Sequence, residues 1–429
     1  MSDAALLIEL VLVFLALCLI RVPIAFAMAG SALVLVFQIG VDSRQVVAQM
    51  YGGVGLFVLL AVPFFLMAGE LLNSAGLTRD LVRTVSGVVG RVRGGLGQVN
   101  VVVSMVFAGI SGSSTADTAA VGSVMIPAMK DGGYSSRFAA ALTAASSTMG
   151  NIIPPSLYMI IYGSMAGVSI QKLFLAGLVP GILIGLSQMV LVNLHARRHP
   201  PTRAAGEVTA RPTAGTVVRS VIAGVTGVVV VGGMVLGYFT ATEAAAMAVA
   251  YCLLLFFVFR SPRAMSRLWE AGQSTGRMYS AILLTIGAAG AFGWIIAYLD
   301  GPEMVASAVT GVTTEPHLIL LMVAGVLLFL GTFMSEIATI VVFTPIFLQL
   351  QKSGDIDPLH MGVVVVMMLC LGLITPPYGV CLLISGQISR ADFGAVCVAM
   401  VPFILSFLAI VAAVIFIPDL ALLIPRLLG

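Results

Sequence analysis

Apolar runs of about 20 residues recur along almost the whole chain, and they constrain its fold more than any other feature. A helix of that length spans the hydrocarbon core of a bilayer. Hydrophobic residues make up 60% of the 429 positions and charged residues only 9%, whereas a soluble protein carries roughly 25% charged residues. The sequence therefore predicts an all-α polytopic protein embedded in a lipid bilayer, with no nucleic-acid partner.

Cysteine and histidine usage argues against a disulfide framework or a metalloenzyme. All five cysteines lie in apolar runs and none forms a CxxC pair, which is typical of small buried residues. The four histidines lie at the ends of predicted spans or in loops, and no HExxH motif occurs. We therefore expect no cofactor, and no metal ion other than a coupling cation.

Lys and Arg are clustered, and the clusters predict a topology. Cytoplasmic loops of membrane proteins are enriched in these residues, so the three arginine groups within 79–93, 197–219 and 260–277 are assigned to the cytoplasm. This orientation places 17 of the 21 Lys and Arg residues in the cytoplasm and 4 on the opposite side. Both termini are then periplasmic.

The predicted path consists of two series of spans joined by a basic cytoplasmic linker, 196–218. The first series, 1–195, has spans at about 4–20, 22–39 and 55–76, a hairpin at about 94–129, a broken span at 138–167 and a span at 173–195. The second series, 219–429, has spans at about 219–238, 241–260 and 279–299, a hairpin at about 316–349, a broken span at 361–387 and a span at 392–416. Two stretches, 78–93 and 266–277, are predicted to form amphipathic surface helices.

Two proline pairs create the broken spans: Pro154–Pro155 in GNIIPPSLYM and Pro376–Pro377 in GLITPPYGVC. Proline supplies no N–H and disfavours helical geometry in the preceding residue. Such a break is tolerated at membrane depth where it is buried in protein or lines a cavity. Pro376 follows Pro154 by 222 positions, and Pro402 in the last predicted span follows Pro180 by the same 222.

The matched features predict an inverted repeat. Each half has a hairpin, FAGISGSSTADTAAVGSVMIPAM (107–129) and FLGTFMSEIATIVVFTPIF (329–347). The loop at 79–93 is basic, whereas its counterpart at 300–316 contains three acids and no Lys or Arg. Inverted repeats with interrupted segments in corresponding places indicate a secondary transporter with its site near the midplane. The alternative is that the prolines only kink helices that pack together.

Polar residues at the two hairpin tips and the two breaks are the candidate site. A carboxylate at membrane depth is costly unless it is used, which singles out Asp117 and Glu336. Free N–H groups at the starts of half-helices favour an anion, and free carbonyls at the ends of half-helices can coordinate sodium. A competing interpretation is a capping box formed by Ser114 and Asp117.

An intramembrane serine protease is a remote alternative. The sequence Gly109-Ile-Ser-Gly112 fits the GxSG pattern around the serine of rhomboid-type proteases. Such a serine needs a histidine partner at the same depth, and no histidine lies inside a predicted span. The enzyme interpretation also leaves the repeat without a role.

At the hairpins and broken spans the sequence resembles a known family. GISGSSTADTAAVGSVMIPAM, IIPPSLYMIIYGSMAGVSIQKLFLAGLVPGI, GTFMSEIATIVVFTPI and TPPYGV are similar to the large membrane subunit of TRAP (tripartite ATP-independent periplasmic) transporters, the DctM-like family. The resemblance covers essentially the whole chain. It implies a sodium-coupled elevator-type permease in the bacterial inner membrane, and not an enzyme. It also implies a separate four-span membrane subunit and a periplasmic binding protein that delivers a small organic acid, such as a C4-dicarboxylate.

The resemblance further implies which residues bind the ions and the substrate. The first sodium site would comprise Ser111, Gly112, Ser113, Ser114, Asp117, Gly150 and Asn151. The second would comprise Gly331, Thr332, Glu336, Gly372 and Thr375. The substrate would lie between the tips, lined by Ser114, Thr115, Pro154, Pro155, Met334, Ser335, Pro376 and Pro377.

The chain departs from the family pattern in two places. Asn151 stands where a small residue or proline is expected, and in Ser335-Glu336 the acid does not directly follow Met334. The runner-up function is a stand-alone sodium–dicarboxylate symporter of the same superfamily. Those relatives are recognised by Ser-Asn-Thr at the hairpin tips, and neither tip here has that triplet.

Overall fold

Helices form all the regular structure that the computed structural model describes, namely residues 2–199, 212–259 and 264–428. They comprise 20 α-helices and two 3₁₀ turns, Phe57–Leu60 and Thr148–Asn151. Part of the predicted basic linker lies outside the described residues, as do four arginines of the predicted cytoplasmic clusters: Arg203, Arg211, Arg260 and Arg263. The predicted all-α fold is confirmed.

The first predicted half contains ten of the described α-helices and the second contains the other ten. The first half contains α1 (Asp3–Leu19), α2 (Ile24–Ile39), α3 (Arg44–Val54), α4 (Ala61–Ser74), α5 (Leu77–Val89), α6 (Gly95–Ser111), α7 (Ser114–Asp131), α8 (Ser136–Ser147), α9 (Leu157–Ala166) and α10 (Ile170–Arg198). The second contains α11 (Ala214–Val235), α12 (Ala241–Val258), α13 (Ala264–Tyr298), α14 (Gly301–Thr310), α15 (Pro316–Leu330), α16 (Glu336–Ser353), α17 (Pro358–Gly372), α18 (Val380–Ser389), α19 (Phe393–Phe416) and α20 (Asp419–Leu428).

Six helical segments among the described residues are long and apolar enough to cross a membrane: Phe57–Ser74, α10, α11, α12, α13 and α19. Shorter apolar helices among the described residues, 10 to 17 residues long, are α2, the first arm of each hairpin (α6 and α15), and the half-helices α9, α17 and α18. Short helices arise where the sequence places Gly or a proline pair inside an apolar run. Whether the hairpins are re-entrant stays a prediction.

The predicted surface helix at 266–277 is wrong as a separate element. It forms the first turns of α13, a single helix of 35 residues, which is about 50 Å long and therefore exceeds the hydrocarbon core. Two hydrogen bonds join its first turns to α4. The Arg267 guanidinium donates to the Ser74 carbonyl at 3.1 Å, and the Ser274 hydroxyl donates to the Glu70 carboxylate at 3.0 Å. No proline interrupts the segment, so the helix continues.

The two halves interlock through their broken spans. In the first half α8 packs against the hairpin of its own half, whereas α9 packs against α16 of the second half. In the second half α17 packs against α15, whereas α18 packs against α7 and α8 of the first half. Each hairpin therefore contacts half-helices from both halves, and this places the two tips in one region of the molecule.

Candidate functional site

The first hairpin turns over two residues, Gly112 and Ser113. Gly112 adopts a left-handed conformation with φ +65° and ends α6, a geometry that glycine accepts without steric cost. Ser113 caps α7, because its hydroxyl accepts from the Ala116 amide at 3.4 Å. The capping box assigned to Ser114 is therefore wrong. Ser114 instead donates across to the Thr148 carbonyl at 3.1 Å.

Asp117 is fully buried in the first turn of α7. Ser111 donates a short hydrogen bond to its Oδ1, while Oδ2 has no hydrogen-bond partner among the described residues. A buried carboxylate normally needs compensation for the water it has lost. The Asp117 carboxyl group therefore provides one oxygen atom, Oδ2, that is available to bind a cation.

Gly150 approaches this carboxylate from the first broken span. A Cβ atom at position 150 would lie 2.5 Å from Asp117 Oδ2 and 3.0 Å from the Ser114 amide nitrogen. The next residue, Asn151, is buried and its Oδ1 has no partner among the described residues. The structure thus brings the break against the tip, and it leaves two side-chain oxygens without hydrogen bonds there.

The proline pair holds the tip from its other side. Residues 152–156 are not helical, the Pro154–Pro155 peptide bond is cis, and Ser156 caps α9. The Leu157 amide donates to the Gly112 carbonyl at 3.2 Å. A Cβ atom on Gly112 would lie only 3.0 Å from the Pro155 carbonyl oxygen, so the tip and the break pack backbone against backbone.

The second half repeats this close approach with a different pair of residues. A Cβ atom on Gly331, after α15, would lie 3.0 Å from Gly372 Cα, at the end of α17. Thr375 lies one turn further on and its hydroxyl donates to the Leu371 carbonyl at 2.8 Å. Thr332 likewise donates to the Phe329 carbonyl at 2.7 Å. The Pro376–Pro377 bond is also cis.

Glu336 begins α16 and is buried, with Oε1 lacking a hydrogen-bond partner among the described residues. The Tyr158 side chain of α9 interacts with this carboxylate across the interface between the halves. Glu336 is therefore next to the other half of the protein. Its place in the second predicted ion site stays a prediction.

The Cys381 side chain, near the start of α18, interacts electrostatically with both Asp117 and Glu336. It therefore lies between the tips of the two hairpins. Sequence reasoning missed Cys381 and Tyr158, because nothing in an apolar context shows which half-helix crosses to the other half. The remaining predicted lining residues differ in exposure: Pro154, Pro155 and Met334 are buried, Thr115, Ser335 and Pro376 are partly buried, and Pro377 is exposed.

Paired hairpins and broken spans in an all-helical membrane protein are typical of a secondary transporter. The chain superimposes on the crystal structure of the YdaH transporter of Alcanivorax borkumensis with a TM-score of 0.62 and 16% identity, covering 87% of this chain and 88% of that one. This similarity establishes the fold.

The chain belongs to the family of the DctM component of tripartite ATP-independent periplasmic transporters, whose family model matches residues 11–420. It is 32% identical over 417 residues to the sialic acid TRAP transporter large permease protein SiaM of Vibrio cholerae, covering 96% of this chain and 97% of the relative. It is 34% identical over 408 residues to the C4-dicarboxylate TRAP transporter large permease protein DctM of Pseudomonas aeruginosa, covering 94% of each.

Family membership confirms the recognition made from the motifs. The chain is a large permease subunit of a transporter and not an enzyme, so the protease alternative is wrong. Permeases of this family work with a small membrane subunit and a periplasmic binding protein. A bacterial inner membrane is the expected location of this multi-pass protein, whereas the orientation of its termini stays a prediction.

Proposed function

We propose that this permease imports a small organic acid together with sodium ions, by an elevator movement that carries the two tips across the membrane. The observation that carries the proposal is the buried Asp117 carboxylate, which keeps one oxygen without a hydrogen bond against the backbone at Gly150. Sodium prefers oxygen ligands, as other hard cations do, and this tip offers a charged oxygen where water is excluded.

The first sodium ion would be held by Asp117 together with groups from Ser111, Ser114, Gly150 and Asn151. The charge of the ion would offset the carboxylate. This arrangement couples the tip to the break, because the two segments would contribute ligands to the same ion. The affinity of the site for sodium then depends on the relative position of the tip and the break. An ion whose affinity differs between two conformations shifts the equilibrium between them, as coupling requires.

The second ion would bind where Gly331 meets Gly372. The two backbones touch there, and carbonyl oxygens at the ends of broken helices coordinate cations in other transporters. Thr332 and Thr375 follow these glycines and would complete the site with hydroxyl or carbonyl oxygens. Glu336 would contribute its charge from the start of α16.

The substrate would be an organic anion bound between the tips. Helices α7, α9, α16 and α18 all begin in this region, and a helix N-terminus favours a negative group. The two relatives described above are named for sialic acid and for C4-dicarboxylates, and both names denote organic acids. A C4-dicarboxylate and a larger sugar acid are therefore the two classes to test first.

The elevator proposal is supported by how the helices pack. The scaffold that we expect comprises about residues 1–76 and 219–278, and within it α4 packs against α12. Within the hairpins and broken spans, α7, α8 and α18 pack against one another, as do α15 and α17 and also α9 and α16, although α16 packs against α13 as well. Movement of the second group as a unit would preserve both ion sites while their exposure changes.

The test is uptake into proteoliposomes that contain this chain and its small membrane subunit. Labelled organic acids are added with and without an inward sodium gradient and with and without the cognate binding protein. We expect uptake only when both are present. Sodium-driven uptake without the binding protein would favour the stand-alone symporter, and uptake that ignores the sodium gradient would refute sodium coupling.

A further inference from the structure

A cavity of about 600 Å³ lies between the ends of α8, α10 and α19, and the transport mechanism makes no use of it. Four basic side chains line it: Arg137, His195, Arg198 and His199. No Asp or Glu does. The predicted topology places this end of the three helices at the cytoplasmic face, at the level of the phosphate groups of the inner leaflet.

The basic residues form an ordered rim. The His195 ring stacks on the Phe138 ring, with centroids 3.6 Å apart and planes inclined by 10°, and the His199 ring lies 4.9 Å from His195. Arg137 and Arg198 are exposed at the same opening. Arginine at such a position can bind a phosphate through two parallel hydrogen bonds.

The rest of the cavity is apolar and continues along the outside of the bundle. Leu194 and Val398 line the cavity and are 48% and 72% exposed. Above them α10 exposes Ile182, Leu186 and Val190, and α19 exposes Val401 and Leu405. Residues three and four apart share one face of a helix, so each helix presents a continuous apolar stripe that ends at the basic rim.

We propose that this cavity binds the head group of an anionic phospholipid, whose acyl chains lie along the stripes of α10 and α19. The basic rim matches the phosphate, and the apolar stripes match the chains. Basic pockets between membrane helices at the cytoplasmic face recognise anionic lipids for the same physical reason. A free phosphate ion would satisfy the rim but would leave the apolar wall exposed.

Native mass spectrometry of the purified full chain tests the proposal, with dioleoyl phosphatidylglycerol and dioleoyl phosphatidylcholine as probes. We expect the wild-type protein to bind phosphatidylglycerol at least about tenfold more tightly. The double substitution Arg137→Gln and Arg198→Gln should weaken phosphatidylglycerol binding by roughly fivefold for each arginine. Binding of phosphatidylcholine should change little.

The matched control is the pair Arg91→Gln and Arg93→Gln, which removes two exposed arginines from another predicted cytoplasmic loop. We expect it to retain the lipid preference. Equal loss of preference in both double variants, or none in the cavity variant, would overturn the proposal. The thermal unfolding midpoint of each variant shows whether its fold is intact.

A third arm separates a lipid from a free anion. Inorganic phosphate is titrated against bound phosphatidylglycerol, and Leu194→Asn is tested because it makes the exposed apolar wall polar while the arginines remain. We expect weak competition by phosphate and reduced lipid binding in the variant. Displacement of the lipid by phosphate at similar concentration, with no effect of Leu194→Asn, would show a site for a free anion and overturn the lipid assignment.

Discussion

Replacing Gly150 by alanine tests whether the contact between the first break and the first tip forms an ion site. The new methyl group would lie 2.5 Å from Asp117 Oδ2 and 3.0 Å from the Ser114 nitrogen. One neighbour is a short buried carboxylate and the other is backbone, so neither can move away freely. The substitution should therefore displace the carboxylate that we assign to sodium.

The size of the effect follows from the cost of overpacking. An added methylene in a tightly packed region costs typically about 1–3 kcal/mol. If the carboxylate relaxes without the ion and must return to bind it, that cost falls on sodium affinity. Since about 1.4 kcal/mol corresponds to a tenfold change in affinity, we expect sodium binding to weaken by roughly 5- to 150-fold.

The assay is the sodium concentration for half-maximal uptake, measured in proteoliposomes with the small subunit and the binding protein. Gly386→Ala is the matched control, because Gly386 is a buried helical glycine whose Cβ would meet nothing within 4 Å. We expect it to behave as the wild type does. If Gly150→Ala folds normally and keeps the wild-type sodium dependence within about twofold, the assignment of this contact to an ion site is wrong.

Three further substitutions test other parts of the structure. Asp117→Asn keeps the side-chain size but removes its charge, and sodium-driven uptake should fall by at least about tenfold. Gly372→Ala would place a methyl group 3.1 Å from Gly331 Cα, so the Hill coefficient for sodium in uptake should fall from about 2 towards 1. Arg219→Gln removes a 3.0 Å ion pair with Asp80 that links α11 to α5, and the thermal unfolding midpoint should fall by about 1–3 °C.

Each of these three predictions has an outcome that would contradict it. Asp131→Asn, at the far end of the same helix α7, is the charge-removal control, and equal losses in Asp131→Asn and Asp117→Asn would remove the special role of Asp117. An unchanged Hill coefficient in Gly372→Ala would show that the contact between Gly331 and Gly372 does not form an ion site. A midpoint for Arg219→Gln that equals the wild-type value would show that the Arg219 side chain, including its ion pair with Asp80, contributes nothing measurable to stability.

Much of the helical framework could be predicted because its causes are local. Most predicted spans agree with the observed helices within a few residues, since a run of apolar residues and a proline pair act on the segment that contains them. Three helices, α3, α14 and α20, were not predicted. They are 10 or 11 residues long, and short elements carry a weak periodic signal.

The continuous helix α13 shows where local reasoning fails. Residues 266–277 are amphipathic and basic, which is also typical of a helix that lies on the membrane surface. The choice between a surface helix and an extension of the next span depends on what the segment packs against. Here the bonds from Arg267 to Ser74 and from Ser274 to Glu70 hold it along α4.

The sequence by itself determined the class of protein, the family, the two breaks and the residue types at the tips, because hydropathy, proline geometry and motif order are all read along the chain. Only the tertiary structure decided that Gly150 meets Asp117, that Gly331 meets Gly372, and that Tyr158 crosses to Glu336. These contacts join segments that are distant in sequence, and they arise from helices that interlock between the two halves. Packing of that kind depends on the shapes of both partners at once, and neither segment specifies it alone.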